Sequence, residues 1–287
     1  EKSNVPELKS GQLLIKTSKS LISTGTERML LEFGKSNIFS KIKNNQDKIN
    51  LLFDKIRTSG FFSTMEIVQD KLFKPIQIGY SNVGIVQKSL SKKFKKGDRV
   101  VSNGFHSEYV NVNENLCCKI PSEVKDENAV FSILGAIALN GIRKIKPQIN
   151  ENVVIYGFGL IGIIATKILR NTGANIIIVD IDEEKRKLAE ELGHIFINPN
   201  TEDLEKKINI FTNKLGADSI LICTYTISSE PLKNSSKIIR KLGTIILIGS
   251  CDLNISRKLM YEKEAIFQIS KSYGPGRYDY SYEQKNM

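Results

Sequence analysis

Residues 152–180 constrain the fold more than any other stretch of the chain. Val153 to Tyr156 is a short apolar run, the pattern of a buried strand, and it leads directly into Gly157-x-Gly159-x-x-Gly162. An apolar helical stretch follows from Leu160 to about Asn171, and Gly173 stops it. Asn175 to Val179 reads as a second apolar strand, with Asp180 at its carboxyl end. Three glycines at this spacing recur by chance. Here they follow a strand, open a helix and precede an acid at the end of the next strand, which is the context that gives the spacing meaning.

Each residue type in the pattern has a physical task. Gly157 permits a tight turn, and Gly159 lets the backbone come close to a pyrophosphate. Gly162 lets the helix pack on its strand, so the free amides of Leu160, Ile161 and Gly162 face the phosphates. Asp180 can accept hydrogen bonds from both hydroxyls of an adenosine ribose and repels a 2′-phosphate, which favours NAD(H) over NADP(H). Helix–strand packing alone requires the glycines but not the acid. The stretch predicts a dinucleotide site.

Beyond Asp180 the alternation continues. Glu183 to Leu192 reads as an amphipathic helix closed by Gly193, and Glu202 to Lys214 as another. Ser219 to Cys223 is a strand, Pro231 to Leu242 a helix closed by Gly243, and Thr244 to Ile248 an apolar strand ending at Gly249. Strands and helices alternating at this length predict an α/β fold with a doubly wound parallel sheet covered on both faces. Thr224 and Gly249, just past two of its strands, are expected to line the cofactor.

The first half has a different texture. Gln12 to Lys19 alternates apolar and polar residues, and strand signals return at Ile78 to Lys88, Arg99 to Ser102, Ser107 to Val112 and Asn115 to Ile120. Many short strands predict a compact β domain. Between them, residues 38–73 read as two helices with a lysine-rich outer face, a helical insertion. Ser20 to Glu27 clusters hydroxyls around Gly25, and Thr26 is a candidate N-cap for a helix starting at Glu27. From Asn128 to Ile142 a helix carries the chain into the nucleotide-binding part.

At 287 residues the chain is long enough for two domains, and 40% hydrophobic with 25% charged residues is ordinary for a globular protein in water. No apolar run reaches membrane-spanning length and no signal-peptide pattern opens the chain, so no membrane partner is expected. The four cysteines form no Cys-x-x-Cys pair, which points to a reduced, cytoplasmic chain rather than a disulfide or zinc framework. The net charge of +11 comes from dispersed lysines without an interleaved aromatic stripe, so nucleic acid is not an expected partner. The start at Glu1 and the abrupt end at Met287 are read as a processed or trimmed chain.

This order of motifs resembles the medium-chain dehydrogenase/reductase superfamily. Gly97-Asp-Arg-Val100 and Glu108-Tyr-Val110 are similar to two of its signatures, and Val130-Phe131, Leu134-Gly-Ala136 and Ala138-Leu139 to its interdomain segment. Ile22 to Glu27, Gly79 to Gly84 and Ser272 to Tyr278 resemble the dehydrogenase half of bacterial bi-domain oxidoreductases. The first two are also similar to bacteriochlorophyllide dehydrogenase. The resemblance implies a GroES-like β-barrel catalytic domain over residues 1–136, with the helical insertion at about 38–73. It implies a Rossmann domain over 137–265 and a return toward the catalytic domain over 266–287 that lacks the family's last helices.

It also implies a small-molecule substrate and an oxidoreductase that exchanges alcohol and carbonyl with NAD(H). A homodimer, and a fused second oxidoreductase module acting on sugar or polysaccharide precursors, are the partners it suggests. The same frame serves quinone- or enone-reductase activity and non-catalytic dinucleotide binding as alternatives. Laid on the zinc enzymes' Cys-x-Ser/Thr-Asp and Gly-His-Glu motifs, this chain has Thr24, Thr26 and Glu27, then Gly79, Tyr80 and Ser81. Neutral hydroxyls are poor zinc ligands beside thiolate and imidazole, so no catalytic zinc is expected. Tyr80 and Thr26 become the candidates that trade a proton with the substrate oxygen. His106 alone cannot make a metal site and is read as an ordinary loop or strand residue. By the same resemblance Lys185 is expected near the adenosine ribose and Arg277 near the pyrophosphate.

Overall fold

The computed structural model describes residues 7–25, 27, 78–277 and 282. The helical insertion expected at 38–73 and the candidate Thr26 lie outside the described residues.

The first part of the chain forms an antiparallel sheet of β1 (Gln12–Ser20), β2 (Asn82–Ser89), β3 (Arg99–Ser102), β4 (Tyr109–Asn113) and β5 (Cys117–Lys119), in the order β4-β1-β2-β3-β5. Alternation decides which face is buried: Leu13 and Ile15 of β1 meet Val86, Val100, Val110 and Val112 in one apolar cluster. β1 and β2 come unusually close at Gly84, where an added Cβ would sit 2.2 Å from the Lys16 carbonyl oxygen. Polar groups inside the sheet are paired. Asn82 Nδ2 donates to Thr17 Oγ1 (2.7 Å), and Ser102 Oγ donates to Asn82 Oδ1 (2.6 Å).

Two helices, α1 (Asp126–Ala129) and α2 (Ser132–Ile145), carry the chain across. The sequence predicts one helix here, but the backbone breaks at Val130 and Phe131. Ala129 and Val130 pack beneath the antiparallel sheet with Val83 and Val101, while Ala138, Ile142 and Ile145 face the second sheet. One straight helix could not serve both surfaces.

The second sheet is parallel and six-stranded, in the order β8-β7-β6-β9-β10-β11. Its strands are β6 (Asn152–Tyr156), β7 (Asn175–Val179), β8 (Ile195–Ile197), β9 (Ala217–Ile222), β10 (Ile239–Leu247) and β11 (Ile266–Ile269). In order of appearance this is 3-2-1-4-5-6, the doubly wound arrangement, with its switch point between β6 and β9. Val153, Val154 and Ile155 are fully buried because both faces of the sheet are covered. On one face, α2, α3 (Leu160–Leu169) and α4 (Arg186–Glu191) supply Ile142, Leu169 and Ala189. On the other, α5 (Leu204–Phe211), α6 (Glu230–Ile238) and α7 (Arg257–Lys263) supply Ile208, Leu232 and Met260.

Three boundaries differ from the expectations. The helix expected to run to Leu242 ends at Ile238, and β10 begins at Ile239, which pairs with Ala217 before the ladder resumes at Thr244 and Ser219. Leu242 takes a left-handed φ of 59° at that irregularity, so it belongs to a strand bulge rather than a helix end. The expected helix at 183–192 starts as a 3-10 turn, Glu183–Lys185. The parallel sheet extends past residue 265, since β11 pairs with β10 from Ile266 to Ile269.

Candidate functional site

The loop after β6 takes its shape from its three glycines. Gly157 has φ of 100°, a left-handed conformation, and a Cβ there would lie 2.8 Å from the Thr224 amide nitrogen. Gly162, in the first turn of α3, packs so tightly that a Cβ would sit 2.1 Å from the Gly157 carbonyl oxygen. Gly159 is different. It is the N-cap of α3, with an ordinary φ of −83° and no side-chain cap, and nothing lies within 4 Å of the position its Cβ would take. The open space therefore borders the first-turn amides of Leu160 and Ile161, where an anion is favoured.

Asp180 turns out to be built into this loop. Its side chain is 7% exposed, and Oδ2 accepts the Phe158 amide at 2.5 Å while Oδ1 accepts the Asp182 amide at 2.9 Å. Lys185 Nζ lies 3.1 Å from Oδ1 and 3.0 Å from Oδ2, and 3.6 Å from an Asp182 oxygen. The acid thus has structural work that the sequence pattern did not reveal: it pins the residue between Gly157 and Gly159. Phe158 is fully buried, so its amide has no water to turn to. A carboxylate has about four acceptor positions, and the two amides with the two Lys185 contacts take them all, so a ribose hydroxyl reaches Asp180 by displacing Lys185.

Thr224 and Gly249 complete the mouth. Cys223 N donates to Tyr156 O (2.7 Å), Ser250 N to Thr224 O (2.9 Å), and a Cβ on Gly249 would lie 2.0 Å from Thr224 O. Gly157, Thr224 and Gly249 therefore meet at the carboxyl ends of β6, β9 and β10, over the switch point. The cradle is one that side chains would fill, and the residues fit a dinucleotide. Burial pushes the thiol of Cys223, beneath this mouth, up to about 12.

Beyond Lys185 a polar cluster supports the turn after Asp180. Arg186 pairs with Glu183, reaches Glu202 at 2.9 Å and lies over the Phe196 ring. Asn198 N and Arg186 hold the Glu202 carboxyl down at about 2, and Asn198 Nδ2 donates to Glu183 Oε2 (2.9 Å).

On the side of the antiparallel sheet, Thr24, Gly25 and Glu27 are helical, and Glu27 N donates to Ser23 O (2.9 Å). The chain therefore enters this turn after Ser23, earlier than an N-cap at Thr26 implies. The Glu27 carboxylate accepts the Ser23 amide at 2.9 Å and meets His106 Nε2 at 3.1 Å, with Glu27 nearly buried. His106 is thus no ordinary loop residue. Its ring abuts Gly79, where a Cβ would lie 2.8 Å from it, and Tyr80 follows. Sequence reasoning missed the pair because 79 residues separate its members. The one available signal was that Glu27 stands in an acid position of a recognisable motif.

Among the described residues the donor set does not fit a zinc ion. Ser81 Oγ is committed to Val130 O at 2.6 Å, and Thr24 offers a neutral hydroxyl. Glu27 and His106 are two donors where zinc takes four, and the described residues include no group of three or more His, Cys, Asp or Glu able to hold a metal.

The return segment ties the two sheets together. Ser270 N donates to Leu247 O (2.8 Å), Asn140 Nδ2 reaches Ser270 Oγ (2.9 Å) and Ser272 O (3.1 Å), and Asn103 Nδ2 reaches Tyr273 Oη (3.3 Å). Arg277 donates to Ser272 Oγ (2.7 Å) and lies over the Tyr273 ring.

Comparison with known proteins agrees with this geometry. A family model described as zinc-binding dehydrogenase matches residues 161–283. The chain is 35% identical over 101 residues to (R,R)-butanediol dehydrogenase of Bacillus subtilis, covering 35% of this chain and 29% of the relative. It is 32% identical over 156 residues to D-guloside 3-dehydrogenase of Escherichia coli, covering 52% of this chain and 45% of the relative. Both matches span less than half of the relative's length. A putative zinc-binding dehydrogenase from Sinorhizobium meliloti, solved bound to NADP, superposes with a TM-score of 0.72 at 20% identity over 93% of this chain and 79% of that one. That likeness identifies the fold, a GroES-like sheet joined to a Rossmann sheet.

Proposed function

We propose that the chain, similar over residues 161–283 to the zinc-binding dehydrogenase family and over parts of its length to butanediol and guloside dehydrogenases, acts as a medium-chain dehydrogenase/reductase that binds NAD(H) and interconverts an alcohol and a carbonyl without a catalytic zinc. The observation that carries the proposal is the meeting of Gly157, Thr224 and Gly249 at the switch point, with open space at Gly159 and Asp180 bonded into the loop. When bound, the nicotinamide supplies hydride chemistry. The protein's own tasks are to hold the dinucleotide, place the substrate carbon and exchange a proton with its oxygen.

Gly157, Gly159, Leu160, Ile161 and Gly162 hold the diphosphate through backbone approach and free amides. Asp180 takes the adenosine ribose hydroxyls as Lys185 swings off the carboxylate to lie beside the ribose, and Thr224 and Gly249 border the adenosine and nicotinamide halves. Arg277 is the proposed pyrophosphate partner. The preference for NAD(H) rests on Asp180, and Lys185 offsets part of its charge. Tyr80 and Thr26 are the groups proposed to meet the substrate oxygen, in place of a metal. A small polyol or sugar-derived alcohol is the proposed substrate class, supported by the butanediol and guloside dehydrogenases that the chain resembles. A homodimer, a fused second module and a cytoplasmic setting belong to the same proposal.

The test is reduction of NAD or NADP by the purified chain with 2,3-butanediol, sorbitol and methyl glycosides. Turnover with NAD and at least one of these alcohols is expected. No turnover together with no dinucleotide binding would refute the proposal.

A further inference from the structure

Along the sequence the lysines are dispersed, but the fold gathers several of them at one end of the antiparallel sheet. From Gln87 to Gly97 the chain carries Lys88, Lys92, Lys93, Lys95 and Lys96 and no acid, and all of these lysines are exposed. The run connects β2 to β3 as a fixed turn. Ser89 Oγ donates to Phe94 O (2.7 Å), Lys93 N donates to Ser91 Oγ (3.0 Å), and Asp98 Oδ2 accepts the Lys95 amide (2.9 Å). The turn before β1 brings Lys9 alongside, since Gly11 N donates to Leu90 O (3.0 Å). Lys119 of β5 reaches Asp98 at 2.9 Å and lies over the Phe94 ring. The acids at this end are Glu7, Asp98 and Glu114, and the last two are bonded to Lys119 and Ser91. Positive charge therefore prevails.

The site described above is at the other end of these strands. β2 begins at Asn82, next to Gly79 and Tyr80, and β3 ends at Ser102, next to the loop of His106. Antiparallel pairing of Asn82 with Ser102 puts the 89–98 turn at the opposite end of both strands. Three features say which anion this turn suits. Its cations are lysines, while Arg99 is committed to Asp126 (2.8 Å) and to Val124 O. A lysine is a point charge suited to a diffuse negative surface, where arginine's fork suits a single phosphate. Phe94, the aromatic residue of the run, is half-buried beneath Lys119, so it offers no open ring for a base to stack on. Leu90, in contrast, is 47% exposed among the lysines. Lysines around an exposed aliphatic side chain are the combination that adsorbs to bilayers of anionic lipid.

We infer that the 88–96 turn, with Lys9 and Lys119, is a docking surface for an anionic lipid bilayer. The negative potential of the headgroups holds the lysines, and Leu90 enters the interface. Adsorption of this kind is reversible, because a basic patch without a lipid anchor is a single weak signal. It needs no membrane-crossing helix, and among the described residues no helix is long and apolar enough to be one. The docked chain keeps Tyr80 and His106 at the far end of the sheet from the lipid. The inference does not depend on the reaction proposed above.

The test is sedimentation of the whole chain with vesicles of phosphatidylcholine alone and of phosphatidylcholine mixed with phosphatidylglycerol. Binding to the mixed vesicles alone is expected, weakening as added salt screens the charges. The combined variant Lys92→Gln, Lys93→Gln, Lys95→Gln and Lys96→Gln is expected to bind about 100-fold more weakly, since each lysine near such a surface is worth about fivefold. Its melting temperature should match the parent's, because the lost groups are exposed. A control carries Lys187→Gln, Lys206→Gln, Lys214→Gln and Lys258→Gln, which removes the same charge from exposed positions on the parallel-sheet part. It is expected to bind the mixed vesicles nearly as the parent does. Leu90→Ser leaves the charge unchanged and is expected to weaken binding about tenfold, the worth of one large apolar side chain leaving water. Failure of the parent to bind mixed vesicles, equal binding to neutral ones, or an equal loss in the control variant overturns the inference. So does binding of a mixed-sequence oligonucleotide, at salt that releases the vesicles, that the turn variant loses and the control keeps, which makes nucleic acid the occupant.

Discussion

The glycine loop divides its labour in a way that two substitutions separate. In Gly162→Ala the new methyl carbon would start 2.1 Å from the Gly157 carbonyl oxygen and 3.3 Å from Ile155 Cγ2, where ordinary contacts begin at 3.4 Å. The obstacle is backbone on one side and a fully buried strand residue on the other, so α3 or the loop must move by about 1 Å. Overpacking of this kind costs about 1–3 kcal/mol, and alanine's helix preference returns at most about 1 kcal/mol. A chain of this size loses about 2–4 °C in Tm per kcal/mol. Gly162→Ala is therefore expected to melt several degrees lower and, because the Gly157–Gly159 loop shifts with it, to bind NADH at least tenfold more weakly, about 1.4 kcal/mol. Gly159→Ala meets open space at an ordinary φ and loses no more than about 1 kcal/mol, the difference between Gly and Ala at an N-cap. Its methyl occupies the approach to the first-turn amides, so NADH affinity falls at least as far with little change in Tm. Calorimetric melting and NADH titration of both variants make the comparison. A Gly159→Ala chain that binds NADH like its parent refutes the phosphate reading of the loop, and a Gly162→Ala chain that melts with its parent refutes the close approach.

Further expectations can be checked alongside. The Glu202 carboxyl is held below its ordinary value of 4.5, at about 2, by the Asn198 amide and then Arg186, so its contribution to stability is present above pH 4.5 and is lost as pH falls toward 2. Thermal melts of Glu202→Gln should lie below the parent near neutrality and converge with it across that window; a gap that is constant with pH contradicts the assignment. Alkylation at mildly alkaline pH should label exposed Cys118 first and leave Cys117 and Cys223 untouched in the folded chain, since burial pushes both of those thiols up to about 12. Early labelling of Cys223 would mean that the floor of the site opens.

Much of the parallel sheet was legible because its signals are local. Val153 to Tyr156 and Asn175 to Val179 are continuous apolar runs, and β6 and β7 occupy those residues. What failed did so where tertiary contacts override local pattern. The helix expected through Leu242 stops at Ile238 because Ile239 is claimed by the ladder opposite Ala217, and Arg240 is anchored there by Asp218 at 2.5 Å. Nothing in the spacing of Lys237 to Gly243 announces that. Asp180 could be read as a ligand-facing acid, but not as the group that pins Phe158, since that bond depends on how two strands lie side by side. The Glu27–His106 pair was hidden for the same reason: only the folded chain brings the two motif loops together.

The central claim is that a dinucleotide sits across the ends of β6, β9 and β10 with its ribose on Asp180. Because the chain contains no Trp, direct excitation of the reduced nicotinamide follows binding without an indole background. Titrating NADH and NADPH into the parent and into Asp180→Asn is the measurement that decides it. Saturable binding of both by the parent is expected, tighter for NADH, with that preference narrowed in Asp180→Asn. Equal or tighter binding of NADPH by the parent, or no binding of either, contradicts it.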